Sequence, residues 1–443
     1  MPPASDRSPV AVAAVDASTI ERLLQRIERR RDELVDLTRA LIRLPTINPP
    51  GDAYHDCADL VGRRLASRGF RVEMLRAEGL PGDSDAHPRI NVVGRREGQG
   101  PGATVHFNSH IDVVDPGHGW TVDPFAAVVR DGRVYGRGSC DMKGGLAASI
   151  IAVEAILDEG IPFPGAFEIS GTVDEESGGF AGVGWLAERG HFSPGRVDHV
   201  IIPEPLDVDR ICLGHRGVWW AEVETRGRIA HGSMPFLGVS AIRVMADFLT
   251  RVEQELYPAL GQRHTVMPVM PEGARVSTLN YNSIHGGLEE GYDGFPAPLV
   301  ADSCRLVLDR RFLIEENLLD VQGEILALLE AVKASHPGSD YQIREIMTFL
   351  PTMTPPEAPV VRALEASIHR VLGRRPQHIA SPGTYDQKHI VRSGHLKDCV
   401  AYGPGILELA HQPDEYVVID DMVHAAQVMA IAGLSLVNRR AGG

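Results

Sequence analysis

The sequence predicts a protein of the α/β class with two domains. At 443 residues the chain is longer than a single compact core usually is. Along its first part, segments with apolar residues at helical spacing alternate with short apolar runs typical of strands, which indicates a sheet flanked by helices. Farther on, a separate strand-helix-strand-strand-helix-strand order indicates a second domain inserted into the first.

The first elements are predicted from capping signals and apolar spacing. Ser18 with Glu21 forms a capping box, and apolar residues at helical spacing follow as far as Pro45. A second helix is predicted at residues 56–68. Strands are predicted at residues 71–74, 90–93 and 104–108, and a hairpin turn is predicted at Asp131 and Gly132.

The inserted domain begins where the pattern changes, near residue 214. Its strands are predicted at residues 218–225, 275–278, 304–308 and 341–347, and its helices at residues 240–256 and 318–334. A Gly- and Pro-rich loop is predicted at residues 284–299, and Pro355-Pro356 marks the return to the first domain. We therefore expect a flexible tail at residues 1–17, a first domain at residues 18–213 and 352–443, and an inserted domain at residues 214–351.

Composition and charge exclude several classes of protein. The formal net charge is -15, whereas a nucleic-acid surface needs clustered Lys and Arg. The five cysteines lack CxxC spacing and imply neither a disulfide framework nor a thiolate zinc site; Cys140 is assigned a buried structural role. No stretch approaches the roughly 20 apolar residues of a membrane span, and residues 1–17 lack a signal-peptide pattern. We therefore expect a cytoplasmic protein without nucleic-acid or membrane partners.

Acidic and histidine residues form five clusters along the chain. His110 and Asp112 follow an apolar run, and in a strand two such residues share a face, so the histidine can bind a metal while the aspartate orients its ring. Taken alone, such a pair is more often structural. The order of all five clusters indicates a two-metal hydrolytic site. The clusters are His110-Ile111-Asp112, Asp141, Glu175-Glu176, Glu204 and His411.

The strings around these clusters resemble those of a known family. They are SHIDVVD, GRGSCDMKGG, TVDEESGG, IIPEP and AHQPDEY, and they span residues 109 to 416. Together they are similar to the signature blocks of the metallohydrolases that include acetylornithine deacetylase, succinyl-diaminopimelate desuccinylase, aminoacylase and glutamate carboxypeptidase. The resemblance implies a zinc-peptidase-like catalytic domain with a central mixed sheet flanked by helices, and an inserted ferredoxin-like α+β domain that serves as lid and dimerisation domain.

The resemblance also implies a set of metal ligands. His110 and Glu204 would hold one divalent ion, Glu176 and His411 would hold the other, and Asp141 would bridge them. Zinc is the first choice, and cobalt or manganese can occupy similar nitrogen and oxygen sites.

Three residues are assigned catalytic roles on the same basis. Glu175 lies next to a ligand without being one, so it would act as the general base that takes a proton from the attacking water. Asp112 would orient His110. His231 would reach across a homodimer to hold the oxyanion in the partner's site, and the alternative is an ordinary surface histidine.

The substrate residues are implied less directly. Arg311, in Asp309-Arg310-Arg311, resembles the family's carboxylate-binding arginine, with a surface ion pair as the alternative, so a small substrate carrying a carboxylate is expected. Gly383, Thr384 and Gly403 match loops that line the substrate pocket. One departure is that residues 298–302 read Pro-Leu-Val-Ala-Asp where many relatives carry a lid asparagine, and the loop before Pro298 is expected to reshape the pocket.

The resulting hypothesis is a two-metal amidohydrolase that removes an N-acyl group from an amino acid or related amine. A carboxypeptidase, a dipeptidase, or an aminohydrolase acting on a non-peptide amine would use the same site. A homologue that binds without catalysis is a third possibility. Such a protein would be expected to lose ligands or the base, and none is missing from this sequence.

Overall fold

The structure, a computed structural model, describes residues 16–287 and 298–439. The described chain divides into two compact units. Unit 1 comprises the described parts of Met1–Leu213, Thr354–His378 and Tyr385–Gly443, and unit 2 those of Gly214–Met353 and Ile379–Thr384. No helix among the described residues is long and apolar enough to cross a membrane.

Strands and helices alternate through most of the described chain. The strands are β1 (Arg71–Arg76), β2 (Ile90–Glu97), β3 (Thr104–His110), β4 (Val128–Arg130), β5 (Arg133–Tyr135), β6 (Ala166–Thr172), β7 (His199–Ile202), β8 (Arg210–His215), β9 (Gly217–Arg226), β10 (Thr278–Gly286), β11 (Ser303–Phe312), β12 (Asp340–Phe349), β13 (Thr352–Met353), β14 (Gln377–Ser381), β15 (Cys399–Ala401) and β16 (Tyr416–Val418). The helices are α1 (Ala17–Arg29), α2 (Arg31–Ile42), α3 (Tyr54–Ser67), α4 (Gly144–Asp158), α5 (Trp185–Glu188), α6 (Ala241–Arg251), α7 (Tyr257–Leu260), α8 (Leu318–Ser335), α9 (Pro359–Leu372), α10 (Gln387–Arg392) and α11 (Ile419–Val437).

Unit 1 is built on a mixed sheet with the strand order β1-β2-β6-β3-β7-β15-β8. Strand β3 is parallel to both β6 and β7, and β7 is parallel to β15. The outer pairs β1–β2, β2–β6 and β15–β8 are antiparallel. The predicted α/β class with a central mixed sheet flanked by helices is confirmed. Because the four inner strands are parallel, their carboxyl ends lie at one edge of the sheet.

Helices α4 and α11 form much of the helical layer. Helix α4 is buried along nearly its whole length, as expected for a helix that is apolar all round, and α11 is buried except along one side that carries Asp420, His424 and Gln427. Helix α11 packs against both α4 and α9, and α3 packs against β1 and β2. Helices α4 and α11 also pack against the inner strands β3 and β6.

The N-terminal helix differs from its prediction in two ways. Helix α1 begins at Ala17, because the carboxylate of Asp16 accepts the backbone N–H groups of Ser18 and Thr19, both at 2.9 Å. Ser18 is therefore not the cap. The predicted single helix is also interrupted at Arg30, whose backbone leaves the helical region with φ -97° and ψ 13°. Apolar spacing continues through the break, which is why the sequence pattern did not reveal it.

Unit 2 follows a strand-helix-strand-strand-helix-strand order with β9, α6, β10, β11, α8 and β12. Its four strands form an antiparallel sheet in the order β10-β11-β9-β12, which is the ferredoxin-like arrangement. The predicted strand at residues 275–278 is displaced, since Glu272–Arg275 form a 3₁₀ turn and β10 starts at Thr278. The predicted loop at residues 284–299 falls partly on β10, and residues 288–297 lie outside the described part.

Candidate metal centre

Residues that follow the parallel strands of unit 1 meet at one edge of its sheet. His110 is the last residue of β3, Glu175 and Glu176 follow β6, and Glu204 follows β7. Open α/β sheets bind ligands beyond the carboxyl ends of parallel strands, so this edge is the expected position for a site.

Five side chains form two groups that share one member. His110, Asp141 and Glu204 form the first group, and Asp141, Glu176 and His411 form the second; within each, the possible ligand atoms lie within 4.8 Å of one another. Asp141 Oδ1 is 3.1 Å from His110 Nε2, and Asp141 Oδ2 is 3.5 Å from His411 Nε2. His411 Nε2 is 3.1 Å from Glu176 Oε2, and His110 Nε2 is 3.9 Å from Glu204 Oε1. The structure thus brings together all five residues implied as ligands.

The electrostatics of the five residues suit a pair of divalent cations. Burial raises the pKa of Glu176 to about 7 and that of Glu204 well above its usual value. Hydrogen bonds to Asp141 and Glu176 raise the pKa of His411 to about 10. Burial opposes a charge on His110, but hydrogen bonds to acidic partners raise its pKa well above the usual value. Carboxylates packed this closely need positive charge, and these nitrogen and oxygen donors fit zinc, cobalt or manganese.

Asp112 contacts both His110 and the turn that carries the paired glutamates. His110 Nδ1 donates to the backbone carbonyl of Asp112 at 3.0 Å, so Nδ1 carries a proton and Nε2 faces the carboxylates. The Asp112 carboxylate accepts from the backbone N–H of Glu175 at 3.2 Å, from that of Glu176 at 3.1 Å, and from Asn48 Nδ2 at 2.9 Å. Burial would raise the pKa of Asp112, but its hydrogen bonds lower it. Asp112 therefore stays ionised and orients a histidine and a turn together.

Arg137 and Glu415 connect the segment of Asp141 to the segment of His411. Glu415 Oε1 accepts the backbone N–H of Cys140 at 2.8 Å and that of Asp141 at 3.1 Å, while Oε2 pairs with the Arg137 guanidinium at 2.5 Å. Arg137 also donates to the backbone carbonyl of His411 at 3.2 Å. Both side chains are almost fully buried. The pair therefore positions Asp141 and His411, which are distant in sequence.

Glu175 begins a short 3₁₀ turn that is held from both sides. Its predecessor Asp174 has a φ of 62° and accepts from Arg89 Nε at 2.9 Å. Glu175 Oε1 accepts from Lys388 Nζ at 2.9 Å. The Glu175 side chain is 12% exposed and that of Lys388 is 2% exposed, so this ion pair is largely shielded from water.

Four of the predicted site residues lie in unit 2. His231 is exposed, and its Nδ1 accepts from Ser233 N–H at 3.1 Å. The Arg311 guanidinium makes two hydrogen bonds to Asp309, at 2.7 Å and 3.0 Å. This is an ion pair of the kind given above as the alternative to substrate binding by Arg311. Gly383 N–H donates to Ser381 Oγ at 3.2 Å. Thr384, the fourth residue, is half-buried.

Gly403 lies in unit 1 and packs against the chain that carries Glu204. A Cβ atom at Gly403 would lie 2.4 Å from the Pro203 carbonyl oxygen and 2.7 Å from that of Glu204. A side chain here would displace the backbone at Pro203 and Glu204. Its contacts thus account for glycine at this position through close backbone approach.

Three residues that contact predicted site residues were not identified by the sequence analysis. Asn48, Lys388 and Glu415 each bond to a predicted site residue from a distant segment. Glu415 lies within the string AHQPDEY, so its position was available as a signal. The five cysteines are buried and form no disulfide, and Cys140 donates to the Ile406 carbonyl, in keeping with its assigned structural role.

The fold is a mixed α/β sheet, and its site contains two groups of histidine and carboxylate side chains that share one aspartate. This combination is typical of a dinuclear metallohydrolase. Comparison with known proteins agrees with this class. The chain belongs to peptidase family M20/M25/M40, which it matches over residues 106–432.

Relatives and solved structures cover nearly the full chain. Succinyl-diaminopimelate desuccinylase of Pseudomonas fluorescens is 30% identical over 389 residues, which cover 86% of this chain and 92% of the relative. N-formyl-4-amino-5-aminomethyl-2-methylpyrimidine deformylase of Bacillus subtilis is 28% identical over 434 residues, covering 93% and 96%. An M20 family metallo-carboxypeptidase from Sulfolobus solfataricus has a TM-score of 0.72 at 21% identity, covering 92% of this chain and 99% of that chain. This last likeness concerns the fold alone.

Proposed function

We propose that the chain is a two-metal amidohydrolase that removes an N-acyl group from an amino acid or related amine. The observation that carries the proposal is the position of Asp141, whose two carboxylate oxygens face His110 and His411 in separate ligand groups. A single carboxylate shared in this way is suited to bridging two ions. Zinc is the metal we propose first, with cobalt or manganese as alternatives.

The surrounding residues have distinct parts in the proposed reaction. When bound, the two ions would polarise the scissile carbonyl and lower the pKa of a water molecule. Asp112 holds His110 with Nε2 facing the ligand group and keeps the backbone at Glu175 in place. Lys388 occupies Oε1 of Glu175, and Oε2 would take the proton from the water. Glu175 would then pass this proton to the leaving amine, so the departing nitrogen leaves as a neutral group.

Substrate recognition is assigned to residues of unit 2 and to Gly403. Arg311 would bind a substrate carboxylate, which would have to compete with Asp309 for the guanidinium. Gly383 and Thr384 would line the same pocket, with Pro298 in place of the usual lid asparagine. The Pro298 carbonyl accepts from Gly232 N–H, so this substitution lies beside the His231 loop.

We also propose a homodimer in which His231 of each chain serves the partner's site. The exposure of His231 and the Ser233 hydrogen bonds to its Nδ1 support the proposal, because they leave Nε2 available to an external group. Five cysteines that form no disulfide support a reducing compartment, and we propose the cytoplasm.

A second candidate function is suggested by the Bacillus subtilis relative. Its name specifies a formyl group on a pyrimidine amine, so a non-peptide amine is also a candidate for the leaving group here. A carboxypeptidase or dipeptidase activity would use the same residues. Product analysis after incubation with N-succinyl and N-acetyl amino acids, N-formyl amines and dipeptides separates these candidates. Absence of turnover with every class, in protein carrying two metal ions, would support a binding protein without activity.

Replacing the proposed base tests the reaction directly. Glu175→Gln keeps the shape of the side chain and removes its ability to take a proton, so kcat should fall by about 10²–10⁴. Bound metal should stay at the wild-type level, because Glu175 is not in either ligand group. Glu188→Gln, on the exposed surface of α5, is the matched control and should keep wild-type kcat. Near-normal turnover by Glu175→Gln would overturn the assignment of the base.

A further inference from the structure

One face of a buried strand carries polar side chains where apolar ones are expected. On β3, His106 and Asn108 share a face with His110. On the neighbouring strand β6, Glu168 lies opposite His106, and Ser170 lies opposite Asn108. These four residues, His106, Asn108, Glu168 and Ser170, are 0% exposed, and we call them the polar stripe. Burying polar groups costs free energy unless they are hydrogen-bonded, so their partners are informative.

Hydrogen bonds connect the members of the polar stripe to one another and to Asp386. Ser170 Oγ donates to Asn108 Oδ1 at 2.8 Å, and Asn108 Nδ2 donates to Asp386 Oδ2 at 3.0 Å. Because the one Ser170 hydroxyl proton is used, Ser170 Oγ accepts from His106 Nε2 at 2.7 Å. His106 Nδ1 faces Glu168 Oε2 at 3.0 Å. Both ring nitrogens of His106 are therefore hydrogen-bonded within the polar stripe.

Asp386 and helix α10 connect the polar stripe to Glu175. Asp386, which accepts from Asn108, directly precedes α10, and Lys388 lies in the first turn of that helix. Lys388 Nζ donates to Glu175 Oε1 at 2.9 Å. Burial alone would lower the pKa of Lys388, but the charges of Glu175 and Asp386 raise it. Lys388 is therefore an ammonium group that donates to Glu175 and interacts electrostatically with Asp386.

We propose that Asp386 and Lys388 are positioning residues for Glu175, anchored by the polar stripe. The inference rests on the proposed function of Glu175 as the base. A glutamate has three rotatable side-chain bonds, and fixing one carboxylate oxygen of Glu175 against a buried ammonium restricts the orientations that the carboxylate can take. A displacement of a catalytic group by about 1 Å can cost on the order of 10²-fold in rate. Anchoring Lys388 to a sheet through Asp386 limits such displacement.

Lys388 variants test the positioning role. Lys388→Met should lower kcat by about 10²-fold, with KM within about threefold of wild type and metal content unchanged. Lys388→Arg keeps a cation with a donor group and should recover at least about a tenth of wild-type kcat. Loss of bound metal in proportion to activity, or an equal deficit in Lys388→Arg and Lys388→Met, would mean that Lys388 serves only to hold the fold and would overturn the proposal.

A single-hydroxyl variant tests the polar stripe and keeps the proposal falsifiable if Lys388→Met does not fold. Ser170→Ala should lower kcat by about three- to tenfold at unchanged KM, and its effect should be less than multiplicative with that of Lys388→Met. Ser367→Ala is the matched control, since it removes a buried hydroxyl that donates to Ala363 within α9. It should lower stability without changing kcat. Wild-type kcat in Ser170→Ala, or equal kcat losses in both serine variants, would overturn the proposal.

The Glu175→Gln experiment distinguishes failure of the proposed base from failure of the positioning role. If Glu175→Gln retains turnover, Glu175 is not the base, and Lys388 and Asp386 cannot act by positioning it. If Glu175→Gln abolishes turnover while Lys388→Met and Ser170→Ala keep wild-type kcat, the base stands and the positioning inference alone fails.

Discussion

Changing Asp112 to asparagine removes one charge at the centre of the site without changing its size. The Asp112 carboxylate accepts from Glu175 N–H on Oδ1, and from Glu176 N–H and Asn48 Nδ2 on Oδ2. An amide has only one accepting oxygen, so its NH₂ group must face at least one of these donors. The less costly orientation places NH₂ on the Oδ1 side, where it opposes the backbone N–H of Glu175.

The expected cost follows from these bonds. Hydrogen bonds to a buried charged group contribute about 1.5–3 kcal/mol each, so the loss of one bond and the weakening of two should lower the free energy of unfolding by roughly 2–4 kcal/mol. The backbone carbonyl of residue 112 still accepts from His110 Nδ1, which keeps the ring tautomer. Metal affinity should therefore fall by only about 10- to 100-fold, as for other groups that orient ligands. The turn at Glu175 should move, and kcat should fall further than metal affinity explains.

Three measurements on Asp112→Asn check this reasoning. Urea denaturation gives the change in unfolding free energy, metal titration gives the affinity, and kcat at saturating metal isolates the effect on Glu175. Asp115→Asn, the same chemical change on an exposed residue, is the control and should match wild type in metal affinity and kcat. If Asp112→Asn were indistinguishable from Asp115→Asn in all three, Asp112 would not organise the site.

Three further outcomes are expected. Burial opposes ionisation of Glu168, but its hydrogen bond with His106 helps to lower the pKa of Glu168 from 4.5 to about 2. The Glu168 carboxylate therefore contributes stability above pH 4.5, and this stability is lost as the pH falls toward 2. The unfolding free energies of wild type and Glu168→Gln should differ by up to ~3 kcal/mol, and this difference should shrink as the pH falls from 4.5 toward 2. A difference that stays constant with pH would contradict the contribution of the Glu168 carboxylate. Metal affinity measured by calorimetry should rise with pH, because Glu176, with a pKa of about 7, and His411, with a pKa of about 10, must release protons on binding; an affinity independent of pH would refute this. Mixing inactive Glu175→Ala and His231→Ala chains should restore about a quarter of wild-type activity if His231 acts across a dimer, and no recovery would exclude that role.

The parts of the molecule that were predictable are those recorded in short stretches of sequence. Strand β3 and helix α8 follow from local apolar spacing, and each ligand lies in a distinctive string beside glycines or directly after an apolar run. Parallel strand order then brings the strings at the ends of β3, β6 and β7 to one edge of the sheet. The meeting of His110 with Asp141 and His411 was implied by the resemblance to a known family, because Asp141 and His411 do not follow these strands.

The parts that were missed depend on contacts between distant segments. Glu175 and Lys388 are 213 residues apart in sequence, and no local pattern relates them. The same holds for Asn48 and Asp112, which are 64 residues apart. At the N terminus, Asp16 and Ser18 are both good caps, and only the folded backbone decides that Asp16 accepts the N–H groups.

Elemental analysis coupled to activity tests the central claim most directly. Protein stripped with a chelator should be inactive, and stepwise addition of zinc should restore turnover until two ions are bound per chain. Asp141→Ala should fail to retain the pair under the same titration, because it removes the carboxylate common to both ligand groups. Full turnover in metal-stripped wild-type protein, or saturation at a single bound ion, would contradict a two-metal mechanism.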